Sequence, residues 1–381
     1  MSFAITGAEV LTGEGMRAGL AVIVEGRFIA DVLETAAIPK GMRQVELDGG
    51  YLAPGFIDVQ VNGGGGVLLN GEPTPQGVRR IIEAHRRYGT TALLPTVITD
   101  APEVMAQAIK AVRTVQRQGL TSVLGIHIEG PFIDPKRKGA HPEAHIREIS
   151  DVDMTNIVEA DCGVKMLTLA PNRVPEKSIA ELARAGVIVS LGHSDATAEE
   201  AQAALSAGAR SFTHLFNAMS QMEGRAPGMV GAAFAEPDCF SSVIADGHHV
   251  ADAALKAAFR AKGTGRVLLI TDAMSSAAGG PDAFLLQGRT VKRARGRLQL
   301  EDGTLAGSDL TMDAAVRHCV NRLGLPLAQV LASASAVPAQ LIGRDHELGR
   351  IARGYIAGLV HLSENLYVQQ SWVAGEQAMP N

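Results

Sequence analysis

Short apolar runs alternate with amphipathic stretches through most of this chain, from about residue 53 to residue 344. The apolar runs are rich in β-branched residues and too short for helices, which is typical of buried strands. Eight such runs occur, at residues 56–61, 92–96, 122–128, 164–169, 187–191, 211–213, 241–245 and 267–270. Helical spacing follows several of them, as at 78–88, 101–118 and 251–261. This repeat predicts a (β/α)8 barrel of the TIM type, with a doubly wound open sheet as the alternative.

Both chain ends show a different pattern, in which very short apolar runs are separated by glycine-containing turns. The runs lie at residues 3–5, 9–11, 21–24 and 28–30, and again at 349–351, 357–362, 366–368 and 371–375. Such a rhythm indicates strands and tight turns. Because chain termini often lie close together, we expect both ends to form one small β-sandwich domain. The predicted boundaries are 1–52 and 345–381 for this domain and 53–344 for the barrel.

The stretch 187–219 contains one complete strand–helix–strand repeat. Its first apolar run leads into His193, and its second leads into His214. Between them, Thr197 and Glu200 have the spacing of a capping box at the start of an alanine-rich helix. The two strands of a βαβ unit are parallel, so their carboxyl ends open on the same face. We therefore expect His193 and His214 to meet there.

Polar side chains stand at the ends of most predicted strands, namely Asp58, Gln60, Thr96, Glu129, His193, His214, Asp246 and Asp272. In a barrel they would all rim the C-terminal mouth, where the catalytic residues of this fold collect. Two imidazoles and a carboxylate are a common ligand set for a catalytic Zn²⁺ or a similar ion. A further carboxylate beside the attacking water would serve as general base, a role that fits Asp272.

Composition restricts the class of partner. The 381 residues include 35 basic and 40 acidic side chains, dispersed along the chain with a net charge of −5, so neither nucleic acid nor an anionic membrane surface is expected. No apolar run approaches the length of a membrane span, and no secretory pattern is visible, which predicts a soluble cytoplasmic protein. Three widely spaced cysteines, Cys162, Cys239 and Cys319, predict buried thiols and no disulfide framework. A small-molecule partner is expected.

Six sequence blocks together resemble the N-acetylglucosamine-6-phosphate deacetylase family of the amidohydrolase superfamily. They are GFIDVQVNG (55–63), HIEGPF (127–132), GHS (192–194), THLFNAM (213–219), DGHH (246–249) and TDAM (271–274). The blocks run through nearly the whole chain, and HIEGPF together with THLFNAM is specific to this family. The resemblance implies hydrolysis of the acetamide of N-acetyl-D-glucosamine 6-phosphate to glucosamine 6-phosphate and acetate, in amino-sugar catabolism and cell-wall sugar recycling.

The resemblance also implies roles for individual residues. Glu129, His193 and His214 match the ligands of one divalent ion per subunit; Zn²⁺ is expected, and Fe²⁺, Co²⁺ or Mn²⁺ would accept the same ligands. Asp272 matches the acid/base, and His141 a histidine that holds and polarises the amide carbonyl. Residues that match substrate contacts are Ala140, His141, Asn217, Ala218, Arg225, His249, Leu305, Ala306 and Gly307. Among these, Arg225 and His249 match a phosphate-binding pair, and a phosphate contact from the neighbouring subunit implies a homodimer.

Several points stay open at this stage. The first strand carries Asp58 and Gln60 where many amidohydrolases have a His-x-His pair, so we expect one metal ion, although Asp58 could still reach a second. An amidohydrolase acting on a cyclic amide such as hydantoin or dihydroorotate is an alternative function, as is a non-catalytic binding barrel. A serine hydrolase built on Ser194 lacks the G-x-S-x-G elbow. Residues 275–304 predict a β-hairpin excursion over the mouth, for which a lid role is one interpretation.

Overall fold

Eight parallel strands form a nearly closed barrel in the computed structural model, which describes residues 2–378. We number the barrel strands β1 to β8: Phe56–Val61, Thr90–Ile98, Gly125–Glu129, Val164–Leu169, Ile188–Leu191, Ser211–Phe212, Phe240–Val243 and Val267–Leu269. Each strand pairs with its neighbour in sequence, and a bridge between Val61 and Ala273 brings β1 next to the segment that follows β8. The predicted barrel is therefore confirmed. The open-sheet alternative is wrong, because that fold requires a reversal of strand order.

The barrel strands are followed by helices, which we number α1 to α8: Pro75–Arg86, Pro102–Arg117, Asp151–Val158, Glu176–Arg184, Ala198–Ser206, Gly228–Ala235, Asp252–Lys262 and Met312–Arg317. α1 buries Val78 and Ile81 against the barrel, as the apolar spacing along one helix face requires. At the start of α5, Thr197 and Glu200 form the predicted capping box. After α8 come a π-helical turn, His318–Arg322, and two helices, Leu327–Ser333 and Ala336–Leu341.

The two ends of the chain build a separate domain of two β-sheets. One sheet contains Phe28–Glu34, Leu20–Glu25, Ser2–Thr6 and Gln44–Glu46; the other contains Glu376–Gln377, Val368–Val373, Leu359–Leu362, Tyr51–Pro54, Glu9–Thr12 and Gly15–Arg17. Side chains from both sheets, including Ile5 and Trp372, share one hydrophobic core, so the sheets pack face to face. A domain made from both termini is thus confirmed. Its predicted boundaries stay a prediction, and residues 349–351 form no strand.

A small antiparallel sheet, which we call the flap, projects over the barrel mouth. Its strands are Ala283–Leu286, Arg289–Ala294 and Arg297–Gln299, which confirms the β excursion predicted for 275–304. Leu286, Val291 and Leu298 pack on Met274 and Ala306, so the flap is attached to the mouth by its own small apolar core.

Shorter elements complete the chain. A hairpin pairs Gly63–Gly64 with Val67–Leu68, and short 3-10 turns span Thr35–Ala37, Pro135–Arg137 and Glu143–His145. None of the helices within residues 2–378 combines the length and the hydrophobicity needed to cross a membrane. The three cysteines are free and buried, as predicted.

Candidate active site

Three of the predicted site residues share an unusual backbone conformation at the strand ends. His193, His214 and Asp272 have φ angles of 48°, 33° and 52°, in the left-handed region that residues other than glycine seldom occupy. Ala218, in the loop after β6, has a φ of 50°. Each such residue costs about 1–3 kcal/mol, and such residues cluster at functional sites. All four residues line one cavity at the barrel mouth.

The side chains of Glu129, His193 and His214 converge on one point at the bottom of this cavity. Glu129 Oε1 lies 3.1 Å from His193 Nε2 and 2.9 Å from His214 Nε2, and the two Nε2 atoms are 3.1 Å apart. Bonds of about 2.0–2.1 Å in a tetrahedral Zn²⁺ site place ligand atoms about 3.3 Å apart, so the group fits such an ion. Within residues 2–378 no other group of three His, Cys, Asp or Glu side chains has this geometry.

Hydrogen bonds outside the cluster prepare its atoms for ligation. His193 Nδ1 lies 2.9 Å from the carbonyl oxygen of Arg137 and donates to it, so Nε2 is the atom that would ligate an ion. Burial would raise the pKa of Glu129, but hydrogen bonds from His193 and His214 hold it well below its usual range. Glu129 is therefore ionised, and the donor set is that of a divalent metal site.

Asp272 lies beside the cluster, where two side-chain amides hold it. Its Oδ1 accepts hydrogen bonds from Asn62 Nδ2 at 2.7 Å and from Gln60 Nε2 at 3.2 Å. Gln60 Nε2 also donates to Glu129 Oε1 at 3.0 Å and so links the two carboxylates. Burial and then the negative charge of Glu129 raise the pKa of Asp272 to about 6. Such a carboxyl is suited to exchange protons near neutral pH.

Asp58 is fully buried and points to Thr271 at the end of β8. One of its oxygens accepts from Thr271 Oγ1 at 2.5 Å, and the other accepts from the backbone N–H of Gln60 at 3.1 Å. Burial raises the pKa of Asp58 to about 7, against the effect of these hydrogen bonds. Asp58 thus joins β1 to the segment that carries Asp272 and is not part of the Glu129–His193–His214 cluster.

His141 lies against the cluster on the loop that follows β3. Its ring centroid is 4.3 Å from that of His193, and its Nδ1 is 2.7 Å from Thr99 Oγ1. Burial, followed by the charge of His193, lowers the pKa of His141 to about 3, so the ring is neutral. With Nδ1 engaged by Thr99, Nε2 is the atom left for a ligand in the cavity.

The cavity above the cluster has a volume of about 380 Å³, at the smaller end of small-molecule sites. Eight of the nine predicted substrate contacts line it: Ala140, His141, Asn217, Ala218, His249, Leu305, Ala306 and Gly307. Arg225 does not; it lies on an exposed loop between β6 and α6, so its predicted role stays a prediction.

Four polar residues of the lining were missed by the sequence analysis. Asn62 and Thr304 line the cavity, as do Lys136 and Arg137 on the β3–α3 loop. Arg137 is also held by Asp195, to which its Nη2 donates at 2.7 Å. Asn62 could have been found, because it lies two residues beyond Gln60 and so on the same face of the extended chain. No pattern in the sequence identifies Thr304, Lys136 or Arg137 as residues of the cavity.

Ser194 is not placed as a nucleophile. Its hydroxyl donates to Asn172 Oδ1 at 2.7 Å, and no hydrogen bond joins it to a histidine in the described part of the chain. The hydroxyl also accepts from the backbone N–H of Ala196, which is the local bond of a turn. The serine-hydrolase interpretation is therefore not supported.

A parallel barrel with a Glu-His-His cluster and a buried aspartate of raised pKa at its C-terminal mouth defines a class: metal-dependent hydrolases built on this barrel. Comparison with known proteins agrees. The amidohydrolase family model matches residues 51–378. An N-acetylgalactosamine-6-phosphate deacetylase of Shewanella sp. (strain ANA-3) is 41% identical over 372 residues, which cover 97% of this chain and 94% of that protein.

Proteins that are named for the glucosamine substrate match over the same length. An N-acetylglucosamine-6-phosphate deacetylase of Haemophilus influenzae is 32% identical over 99% of both chains. The crystal structure of N-acetylglucosamine-6-phosphate deacetylase from Pasteurella multocida superposes with a TM-score of 0.97, at 35% identity and over 100% of both chains. The chain belongs to the amidohydrolase family and, within it, to the deacetylases of N-acetylated amino-sugar phosphates.

Proposed function

We propose that this protein hydrolyses the acetamide of N-acetyl-D-glucosamine 6-phosphate, giving D-glucosamine 6-phosphate and acetate. The observation that carries the proposal is the Glu129–His193–His214 cluster beside Asp272, in a chain that matches such deacetylases from end to end. A reaction of this kind belongs to amino-sugar catabolism and to the recycling of cell-wall sugars, and we propose that it takes place in the cytoplasm. A cyclic-amide substrate or a non-catalytic barrel is not favoured.

One divalent ion completes the proposed site. Glu129, His193 and His214 would hold it, and Zn²⁺ is our proposal for its identity. When bound, such an ion lowers the pKa of water and polarises a carbonyl. The neutral ring of His141 lies against the cluster and contacts Thr99 through Nδ1, so we propose that its Nε2 hydrogen-bonds the substrate carbonyl. His141 would thus hold the amide during attack.

Asp272 moves the proton in the proposed reaction. Its Oδ1 is held by Asn62 and Gln60, which leaves Oδ2 to accept a proton from the attacking water. A carbon–oxygen bond then forms at the acetyl carbon. The same carboxyl returns the proton to the amide nitrogen as the carbon–nitrogen bond breaks, and the amine and acetate leave.

The 6-phosphate requires cationic groups at the rim of the cavity. His249 lines the cavity, and Arg225 lies on an exposed loop outside it. We propose that His249 binds the phosphate within one subunit and that Arg225 reaches the phosphate bound in the partner subunit of a homodimer. A guanidinium suits this role because it offers paired donors to phosphate oxygens.

A second substrate has a specific observation in its favour. The relative that is 41% identical is named for N-acetylgalactosamine 6-phosphate, whereas the Haemophilus influenzae protein named for the glucosamine substrate is 32% identical. The two substrates differ only in the configuration at C4, while the acetamide and the phosphate are the same. The cluster, Asp272 and His249 would serve both, so the sugar-contacting residues must decide between them.

The test is turnover of both phosphosugars by metal-loaded protein, measured as acetate release. We expect kcat/KM to be higher for the glucosamine substrate, and a higher value for the galactosamine substrate would reassign the function. Unphosphorylated N-acetylglucosamine should be a much poorer substrate, and Arg225→Ala should weaken only the phosphosugar. Equal rates with and without phosphate, or no acetate release at all, would reject the proposed function.

A further inference from the structure

A buried carboxylate contacts His249 without lining the cavity itself. Asp246 Oδ2 lies 2.6 Å from His249 Nδ1, and the two side chains are only 7% and 6% exposed. The other oxygen, Oδ1, accepts hydrogen bonds from the backbone N–H groups of His248 at 2.8 Å and His249 at 2.9 Å. Asp246 is therefore held in one orientation by three hydrogen bonds, one of which fixes the ring that lines the cavity.

This contact determines where the protons of His249 lie. An ionised carboxylate only accepts hydrogen bonds, so His249 carries a proton on Nδ1 and presents Nε2 to a ligand. A phosphate oxygen also only accepts, so Nε2 must carry a proton too, and the ring must be an imidazolium. Burial alone would raise the pKa of Asp246, but the hydrogen bond and charge of His249 hold it below its usual value. The Asp246–His249 pair is thus suited to an ionised carboxylate facing an imidazolium.

We propose that Asp246 is a positioning residue that determines specificity for the phosphate: it keeps His249 as an imidazolium whose Nε2–H faces the substrate's 6-phosphate. The inference rests on the proposed function, in which His249 binds that group. Without Asp246, a neutral ring could donate from Nε2 only by leaving Nδ1 unprotonated, and the positive charge that His249 contributes to phosphate binding would be lost.

One substitution separates this role from simple stabilisation of the loop. Asp246→Asn keeps Oδ1 as acceptor for the two backbone N–H groups, but it places an N–H donor opposite His249 Nδ1. The ring then becomes neutral, with its proton on Nε2. A hydrogen bond is retained while a charge is removed. Because charge-assisted hydrogen bonds are about twice as strong as neutral ones, we expect KM for the phosphosugar to rise about 5- to 10-fold, with a smaller change in kcat.

The experiment uses metal-loaded full-length protein and two readouts. Kinetics gives kcat and KM for the phosphosugar, and calorimetry gives the affinity for inorganic phosphate, which does not depend on turnover. The variants are Asp246→Asn, His249→Gln and the double variant. Asp252→Asn is the matched control, because Asp252 also pairs with a histidine, His318, at 2.9 Å but does not line the cavity. It should leave phosphate affinity unchanged.

Three results would support the proposal together. Asp246→Asn should weaken inorganic phosphate binding by about the same factor as it raises KM. The double variant should be no worse than His249→Gln alone, because Asp246 acts through that ring. Ring ¹⁵N shifts of His249, identified by their loss in His249→Gln, should report an imidazolium in the unchanged protein and a neutral ring in Asp246→Asn.

Other results would overturn it. Unchanged phosphate affinity in Asp246→Asn, additive effects in the double variant, or a neutral His249 in the phosphate-bound unchanged protein would each reject the role. A protein that releases no acetate from either phosphosugar would instead reject the proposed function. The phosphate-binding and ¹⁵N measurements would still decide the pairing of Asp246 with His249, so the two failures are distinguishable.

Discussion

Removing the side-chain amide of Asn62 tests how hydrogen bonds determine the proton affinity of Asp272. Asn62 Nδ2 donates to Asp272 Oδ1 at 2.7 Å, while Gln60 Nε2 reaches the same oxygen at 3.2 Å. Both bonds favour the ionised carboxylate, so removing the shorter one raises the pKa of Asp272. A hydrogen bond to a charged group contributes about 1.5–3 kcal/mol, which at about 1.4 kcal/mol per pH unit corresponds to a rise of about 1 to 2.

In Asn62→Ala we therefore expect the acid limb of the kcat profile to move up by about one to two pH units. Asp272 must be ionised to take a proton from water, so kcat well below the limb should fall about 10- to 100-fold. Above the limb the variant should approach the rate of the unchanged protein. The assay is acetate release under substrate saturation across the pH range, with metal content measured by elemental analysis at each pH.

Asn70→Ala is the matched control for losing a buried asparagine. Asn70 Nδ2 donates to the carbonyl oxygen of Ile98 and to Asp100 Oδ2, and it touches neither Asp272 nor the ligand cluster. The control should lose stability without moving the limb. The proposed link between Asn62 and Asp272 is wrong if Asn62→Ala keeps its metal and the acid limb of its kcat–pH profile does not move. It is also wrong if kcat falls by the same factor at every pH.

Three further predictions concern the carboxylates and the ligands. Asp272→Asn should retain its metal and lower kcat by at least about 10²-fold, and near-normal turnover would remove its acid/base role. His193→Ala should lose metal and activity together. When metal ion is added back to the metal-free unchanged protein, activity should be fully restored at about one equivalent; activity that keeps rising up to two equivalents would reveal a second ion. The pKa of Asp58 is about 7 in the folded protein and near 3.8 in the unfolded chain. Protonated Asp58 therefore stabilises the metal-free folded protein by at most about 4 kcal/mol, an effect that is complete below about pH 4 and is lost as the pH rises through about 7. Asp58→Asn should flatten that dependence in urea unfolding, and an unchanged slope would contradict the assignment.

The barrel was predictable because its strands and its helices each produce a characteristic spacing of apolar residues along the sequence. β1 and β4 were predicted over the same residues that form them, 56–61 and 164–169, since largely buried strands give short runs that are rich in apolar residues. Even β6, only Ser211–Phe212, was found from its place in the repeat. The convergence of Glu129, His193 and His214 followed from strand direction alone, because parallel strands end at one face.

Contacts made across turns left no such signal. Asp246 and His249 are three residues apart in the chain, but their pairing depends on how the loop after β7 folds back, and no periodicity encodes that. The contact between His141 and Thr99 joins two loops that are 42 residues apart. The side chain of Arg225 lies outside the cavity of the subunit, and the role that we propose for it requires a contact with a partner subunit.

Gln60 makes contacts in the structure that the sequence analysis does not predict. Its side-chain amide donates hydrogen bonds to Glu129 at 3.0 Å and to Asp272 at 3.2 Å. Two carboxylates this close repel each other and need positive charge or hydrogen-bond donors between them. A second cation is one solution, and the amides of Gln60 and Asn62 supply the other. These donors offset part of the repulsion between Glu129 and Asp272, which supports our proposal of one metal ion per subunit.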